Sequence, residues 1–445
     1  MTATRIGCDL LIEAGWLIPV QPSHLVLENH AVVVHKGLIE AILPIAQANA
    51  LYAPKQHIRR PNAVLMPGLV NAHCHNPMSL MRGVADDLAL MPWLNEHIWP
   101  IERAVMATDF VADGIELAVA EMLRGGTTCC NENYFFPDAQ AQAYQRLGFR
   151  AAVSIPVIDF PSAWAKSQDE YFDKGLAVYD QFKHSPLLSF SMAPHAPYTV
   201  CDASFERIRY YSEQLDLPVH CHLHETQQEI IDSLAQYQQR PISRLDRLGV
   251  LNEHLTAVHM TQLTPAEIAL CAEHGVSVVH CPQSNLKLAS GFCPADALLK
   301  AGVNLAIGTD GCASNNDLDM FEELRTAALL AKAVAQDATA FKAFSALHAA
   351  TWAGAKAMGL EDHIGSLEIG KQADMIAVDL SQLETQPLFD VVSQLVYAGN
   401  RSLVSDVWIA GSAKMLERQL TDIDVQRVIS TAKKWQHTIQ NIPLR

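Results

Sequence analysis

Residues 65–75 read LMPGLVNAHCH, an apolar strand-like run that stops on two histidines flanking a cysteine. His73 and His75 are two apart, so on a strand both imidazoles point to the same face. Seven further apolar or β-branched runs follow: GTTCCNEN (126–133), RAAVSIPVI (150–158), LLSFSMAPHAP (187–197), PVHCHLHET (218–226), LTAVHMTQL (255–263), VSVVHCPQSN (276–285) and VNLAIGTDG (303–311). Between most of them lie helix-like stretches such as ATDFVADGIELAVAEMLRGG, FERIRYYSEQLD and TPAEIALCAEHG. Eight strands alternating with helices, about 20–35 residues apart, predict a (β/α)8 TIM-like barrel.

The flanks read differently. CDLLIEAGWLIPV (8–20), HLVLENHAVVVHKG (24–37) and LIEAILP (38–44) are short strands broken by Pro and Gly. The same style resumes at QADMIAVDL (372–380), VVSQLVYAG (391–399) and VSDVWIAG (404–411), and residues 419–440 carry a final helical pattern. The expected division is residues 1–62 as the first part of a small β-sandwich, 63–365 as the catalytic barrel, and 366–445 as the rest of the sandwich plus the last helix.

The chain has 445 residues, enough for one large barrel with an accessory unit. Half-hydrophobic and 18% charged, it excludes disordered and collagen-like classes. The net charge of −16 argues against a nucleic-acid partner and leaves a free nucleoside or another small molecule open. No apolar run approaches the roughly 18 residues that span a bilayer. Asp9 and Glu13 stand where a signal peptide would be apolar. The ten cysteines contain no C-x-x-C pair and read as reduced thiols, so a cytoplasmic location is expected.

In a barrel of this kind catalytic groups sit at the C-terminal strand ends. The unusual residues fall there: His73 and His75 on strand 1, His195 on strand 4, His220, His222, His224 and Glu225 on strand 5, His259 on strand 6, His280 on strand 7, and Asp310 on strand 8. His73 and His75 make a two-nitrogen half-site for Zn²⁺ or Fe²⁺. His222 is the preferred third ligand, because Glu225 then turns over the site from the following loop. His220 lies deeper and reads as a packed core histidine, and His224 as a residue beyond the ligands that orients Glu225. His280 reads as core. Asp310 follows the apolar LAIGT, which does not tolerate an unpaired carboxylate; it reads as the fourth ligand, with a helix N-cap opening NNDLDMFEEL as the alternative.

Three histidines and an aspartate with a position left for water suit a catalytic rather than a structural metal. Such a metal supplies a nucleophile at neutral pH by acidifying water. Glu225 then serves as proton carrier to a ring nitrogen, while Asp310 and His259 accept the water's proton. Strand 4 carries no lysine that could bridge a second metal, so one divalent ion is expected, zinc before iron.

At these residues the chain resembles the amidohydrolase superfamily and its mononuclear nucleobase-deaminase branch, through PGLVNAHCH, MSLMRG, HLHET, the isolated His259, LAIGTDG with SNNDLDMFEE, and IGSLEIGKQADMIAVDL. More narrowly it is similar to the 5-methylthioadenosine/S-adenosylhomocysteine deaminases, through MRGVADDLALMPWLNEHIWPIE (81–102), APHAPYTV (193–200) and SNLKLASG (284–291). The resemblance implies that His73, His75, His222 and Asp310 hold the metal and that Glu225 serves the purine ring. It also implies that Glu102 holds the ribose diol and that His195 donates to the purine. Trp93, with Met78, Met81 and Met91, is a candidate floor for the adenine or thioether, and Ser314 a candidate purine partner.

One departure bears on the substrate. Relatives that accept S-adenosylhomocysteine are expected to offer an arginine to its carboxylate. Arg150 begins strand 3 at the wrong end of the barrel, and the loop FPSAWAKSQDEY offers only Lys166. Methylthioadenosine is therefore favoured. The competing readings are a related enzyme acting on guanine, another base or an aminotriazine, and a non-catalytic barrel. A homo-oligomer, dimer or tetramer, is expected.

Overall fold

In the computed structural model, which describes residues 5–443, two eight-stranded sheets account for all sixteen strands among the described residues. They are β1 (Ile6–Leu17), β2 (Leu27–His35), β3 (Leu38–Pro44), β4 (Tyr52–Pro67), β5 (Leu69–Cys74), β6 (Thr127–Glu132), β7 (Arg150–Val157), β8 (Leu188–Pro194), β9 (Val219–Leu223), β10 (Leu255–His259), β11 (Ser277–His280), β12 (Asn304–Ile307), β13 (Met375–Asp379), β14 (Val404–Ile409), β15 (Ser412–Leu416) and β16 (Gln419–Leu420).

β5 to β12 pair in parallel, in chain order, and form the barrel. Closure comes from a parallel bridge between Cys74 and Asp310, with the Asp310 amide donating to the His73 carbonyl at 3.0 Å. The last strand reaches the first because Gly308 has no side chain: a Cβ there would stand 2.7 Å from the His73 nitrogen. The closure point thus also brings Asp310 beside His73. Each run read from the sequence as a barrel strand contains one.

The inter-strand helices begin on side-chain caps where the sequence offers them. Ser167, Thr226, Thr264 and Asp319 each accept from a backbone amide of the first turn, and Thr264 forms a capping box with Glu267. Thr226 follows Glu225 directly, so the cap of helix Gln227–Tyr237 also fixes the turn that carries that carboxylate. The cap of helix Met320–Ala335 is Asp319, which leaves Asp310 outside any N-cap role.

The other sheet runs β16-β15-β14-β13-β4-β1-β2-β3, so both chain ends build it, and β4 keeps pairing with β13 as far as Pro67. Leu10, Ile12, Val32, Val34, Leu65, Met375 and Trp408 pack on one face, and Cys8, Leu11, Ala31 and Val33 on the other. Arg150 sits beneath the barrel and grips Asp374 through Nε at 2.7 Å, tying the two units at the end away from the catalytic rim.

Residues 391–399, read above as a strand, are helical: Val391–Ser393 continues into Gln394–Ala398. Their apolar positions 391, 392, 395 and 396 repeat at helical spacing, Leu395 and Val396 are buried, and Asp390 caps the start by accepting from the Ser393 amide at 2.8 Å. The final helix spans Val425–Gln440 and starts later than expected, because Gln419–Leu420 pair with β15. It packs on helix Thr108–Arg124, with Trp435 edge-on to Phe110 and its Nε1 donating to Asp113 at 2.9 Å.

Candidate metal centre and nucleoside pocket

Ligand atoms of His73, His75, His222 and Asp310 all lie within 4.8 Å of one another. β5 delivers the first two to one face, β9 the third, and the turn after β12 the carboxylate. Asp310 and His259 both have left-handed backbones (φ 61° and 76°), each at the point where the chain leaves its barrel strand.

Each histidine is anchored through Nδ1. His75 donates to the carbonyl of Asn133 and His222 to that of His195 at 2.7 Å. A carbonyl only accepts, so both neutral rings carry the proton on Nδ1 and turn a bare Nε2 inward. His73 Nδ1 meets His220 Nε2 at 2.7 Å, and its own Nε2 is buried without a hydrogen-bond partner. The inward Nε2 atoms of His73 and His75 stand 3.3 and 3.2 Å from Asp310 Oδ1, and those of His75 and His222 are 3.3 Å apart.

Lone pairs this close repel unless a cation lies among them. Three imidazole nitrogens and one carboxylate oxygen are a donor set for zinc or ferrous iron. The residues therefore fit a divalent metal. Burial raises the Asp310 carboxyl, but positive charge among the facing His73 and His75 rings, the place a divalent cation would take, outweighs it and holds the carboxyl well below its ordinary range. Its other oxygen accepts from Ser284 at 2.6 Å and Ser314 at 3.0 Å.

Glu225 is buried, stands 3.9 Å from His259 Nε2, and is no member of the ligand cluster. Burial raises its carboxyl, opposed by the His259 and His75 rings. His259 Nδ1 is held by Asn285 Oδ1 at 2.9 Å, which leaves Nε2 facing Glu225. The turn is braced by Glu229, whose carboxylate accepts from the backbone amides of His224 and Glu225 at 3.1 and 2.8 Å. His224 was expected to orient Glu225. Its backbone instead turns left-handed (φ 52°), and its Nε2 accepts from the Ile242 amide at 3.1 Å. His280 is core, as its strand pattern suggested.

These groups open into a cavity of about 450 Å³ that Trp93, Glu102, His195, Glu225, His259, Asp310 and Ser314 all line. Glu102 lies in the first turn of helix Trp99–Val105 yet is buried. Burial pushes its carboxyl up to about 7, against a hydrogen bond from the Tyr134 hydroxyl at 2.5 Å. Burial lowers His195 to about 4, so the ring is neutral at pH 7. Its Nδ1 lies 2.9 Å from the Thr199 hydroxyl, which also reaches the Ala196 carbonyl at 3.1 Å; the ring proton sits on Nε2, the form that donates, when the hydroxyl turns its proton to Nδ1. Of the three methionines only Met78 lines the cavity; Met81 is core and Met91 is 38% exposed.

With this geometry in place the comparisons are decisive. The amidohydrolase family profile matches residues 64–414. A 5-methylthioadenosine/S-adenosylhomocysteine deaminase of Teredinibacter turnerae is 48% identical over 97% of this chain and 98% of its own length. The chain belongs to the amidohydrolase family. The deaminase of the same name from Saccharophagus degradans is 45% identical over 98% of each chain. A crystal structure of an adenosine deaminase from Xanthomonas campestris with bound zinc superposes with a TM-score of 0.98 at 63% identity, covering 99% of this chain and 100% of that one.

Within this amidohydrolase several groups around the centre escaped the sequence reading. Tyr134, Asn133 and Glu132 all follow from one stretch, NENY (131–134), where β6 ends. Glu132 is buried, accepts from the Asn76 amide at 3.1 Å and braces the turn after His75. The strand-end rule could have marked that stretch. Ser284 and Thr199 carried no local signal. Arg103 also lines the cavity, an arginine the sequence reading did not find, whereas Lys166 bonds the Ser162 carbonyl and lies outside the lining.

Proposed function

We propose that this amidohydrolase is a zinc-dependent deaminase of adenine nucleosides, taking 5-methylthioadenosine to methylthioinosine and ammonia, with S-adenosylhomocysteine a secondary substrate. The observation that carries the reading is a buried, diol-competent carboxylate, Glu102, in the same cavity as three histidine nitrogens, Asp310 and the non-ligand acid Glu225. The names borne by relatives 45–48% identical agree with it.

His73, His75, His222 and Asp310 would hold the metal, which when bound would supply the nucleophile by lowering the pKa of water. Asp310 and His259 take up the proton released. Glu225, whose carboxyl burial raises, delivers a proton to N1 of the purine as C6 is attacked. The proton taken up from water then passes to the amino nitrogen, the C6–N bond breaks and ammonia leaves, and the C6 hydroxyl returns its proton to Glu225 as the carbonyl forms. His195 donates to a second ring nitrogen, with Ser314 near the same ring. Glu102 accepts both ribose hydroxyls, which selects a nucleoside over a bare base. Trp93 and Met78 supply apolar wall.

Methylthioadenosine is preferred because the mouth of the cavity is largely apolar. Leu90, Trp99, Met106 and Phe160, half-buried or exposed apolar members of the cavity lining, surround it, and Arg103 is exposed. A methylthio group matches such a wall better than a zwitterionic amino acid does. A cytoplasmic setting accords with ten free thiols. Among the described residues no helix is long and apolar enough to cross a membrane.

The test is ammonia release by zinc-loaded protein from methylthioadenosine, S-adenosylhomocysteine, adenosine, guanine, cytosine and an aminotriazine. Adenine nucleosides are expected to lead, with methylthioadenosine first. A lead for a bare base or a triazine would overturn the substrate reading, and silence on all six would overturn the deaminase reading.

A further inference from the structure

His73 differs from its two companion ligands in what holds it. His75 and His222 rest on backbone carbonyls, which accept and do nothing else. His73 rests on another side chain, His220, and His220 Nδ1 in turn meets the Asn131 amide, placed with Nδ2 at 2.5 Å and with its buried Oδ1 lacking a partner. All three residues are buried, His73 and Asn131 near the C-terminal ends of β5 and β6 and His220 near the start of β9.

Such a chain can run in two directions. If Asn131 donates through Nδ2, His220 carries its proton on Nε2, donates to His73 Nδ1, and leaves His73 protonated on Nε2, where it cannot ligate. If Asn131 accepts through Oδ1, His220 Nδ1–H donates to it, His220 Nε2 accepts from His73 Nδ1–H, and His73 Nε2 turns a lone pair to the metal. The amide oxygen and nitrogen are alike in shape, so the proton chain decides their positions.

We infer that Asn131 and His220 are positioning residues for metal binding, with Asn131 accepting from His220 in the metal-loaded enzyme, so that His73 is locked in its ligating tautomer. The role does for His73 what the two carbonyls do for His75 and His222, through groups on neighbouring strands. Neither residue lines the cavity or belongs to the four-residue cluster. The inference rests on the metal reading of the four-residue cluster, and zinc binding by the unsubstituted protein tests that reading separately.

The experiment measures zinc affinity of the full chain by chelator competition, alongside the melting temperature of the stripped protein, for Asn131→Leu, Asn131→Asp, His220→Leu and His220→Gln. Removing such a support is expected to weaken zinc by about 10–100-fold, so both leucine variants should fall in that range. Aspartate accepts and cannot donate while ionised, and glutamine offers a carbonyl near the position of Nε2. Both should therefore hold zinc far better than the leucine variant at the same site. A structural role alone would order the variants by the melting temperature of the stripped protein and not by acceptor capacity.

Equal zinc loss in Asn131→Asp and Asn131→Leu would overturn the accepting role of Asn131. Unchanged affinity in His220→Leu would overturn the relay altogether. Should His220→Leu not fold, the Asn131 pair and His220→Gln still decide: poor binding by both acceptor variants sinks the inference, while failure of the unsubstituted protein to bind zinc sinks the metal reading instead.

Discussion

The inner end of the cavity and its mouth are built on opposite terms. Inside, polar groups are held by neighbours that fix direction as well as position: His222 by a carbonyl, Asp310 by two hydroxyls, His259 by Asn285. At the mouth, Phe160 is 41% exposed and touches Trp99 edge-on at 6.2 Å, and Arg103 is exposed. Reaction geometry demands directional bonds in a desolvated site, where each is worth more. Choice of a thioether tail asks only for apolar area, which loose loop residues provide. Substitutions should thus have steep effects inside and shallow ones outside.

The steepest effect is expected at Glu225. Glu225→Gln keeps the shape and removes the transferable proton, so kcat on methylthioadenosine should fall by about 10²–10⁴ with zinc content unchanged, measured by ammonia release and metal analysis. Loss of zinc in step with activity would show that Glu225 binds metal and would redraw the inner end. Zinc removal is the companion test. Dialysis against a chelator should abolish turnover and lower the melting temperature, with both restored by zinc, because ligand that binds only the folded state stabilises it.

Glu102 lies between the two regimes. Glu102→Gln should lower kcat/KM for nucleosides by roughly 10–100-fold, the cost of hydrogen bonds to a charged acceptor, and leave any turnover of bare adenine nearly unchanged. Equal losses on both would remove the ribose role. The pH dependence has a definite sign. With its carboxyl raised to about 7 by burial, Glu102 is increasingly protonated as pH falls from 8 to 6 and loses accepting power. KM for methylthioadenosine should rise over that interval in the unsubstituted enzyme and stay flat in Glu102→Gln. Tyr134→Phe removes about 1 kcal/mol of hydrogen bonding, which predicts a several-fold rise in KM and an upward shift of the same titration.

How far the site was legible follows from which links are periodic and which are tertiary. The period-2 rule put His73 and His75 on one face, and the strand-end rule singled out His222, Glu225, His259 and Asp310, because side-chain direction on a strand is set by local backbone geometry. The helical turn at 391–399 was lost because its four apolar residues are flanked by too little sequence to distinguish the periods. Ser284 and Thr199 were invisible for another reason. Each matters through a partner 4 or 26 positions away in sequence, and no local pattern states that pairing. His220 was read correctly as a bonded core histidine, yet its partners on β5 and β6 come from barrel register alone.

The smallest expected effect tests the mouth. If apolar area does the selecting there, Phe160→Ala should weaken methylthioadenosine more than adenosine, by a few-fold, since a partly exposed ring contributes only part of the roughly 1.5–3 kcal/mol of a fully buried one. Arg103→Ala should change S-adenosylhomocysteine turnover by less than about fivefold, because an exposed ion pair is worth about 0–1 kcal/mol. Ratios of kcat/KM for the three substrates read both effects. A loss tenfold or greater for S-adenosylhomocysteine in Arg103→Ala, with methylthioadenosine untouched, would mean that Arg103 is drawn in and desolvated around the carboxylate. The mouth would then be as directional as the inner end, and the contrast between the two would collapse.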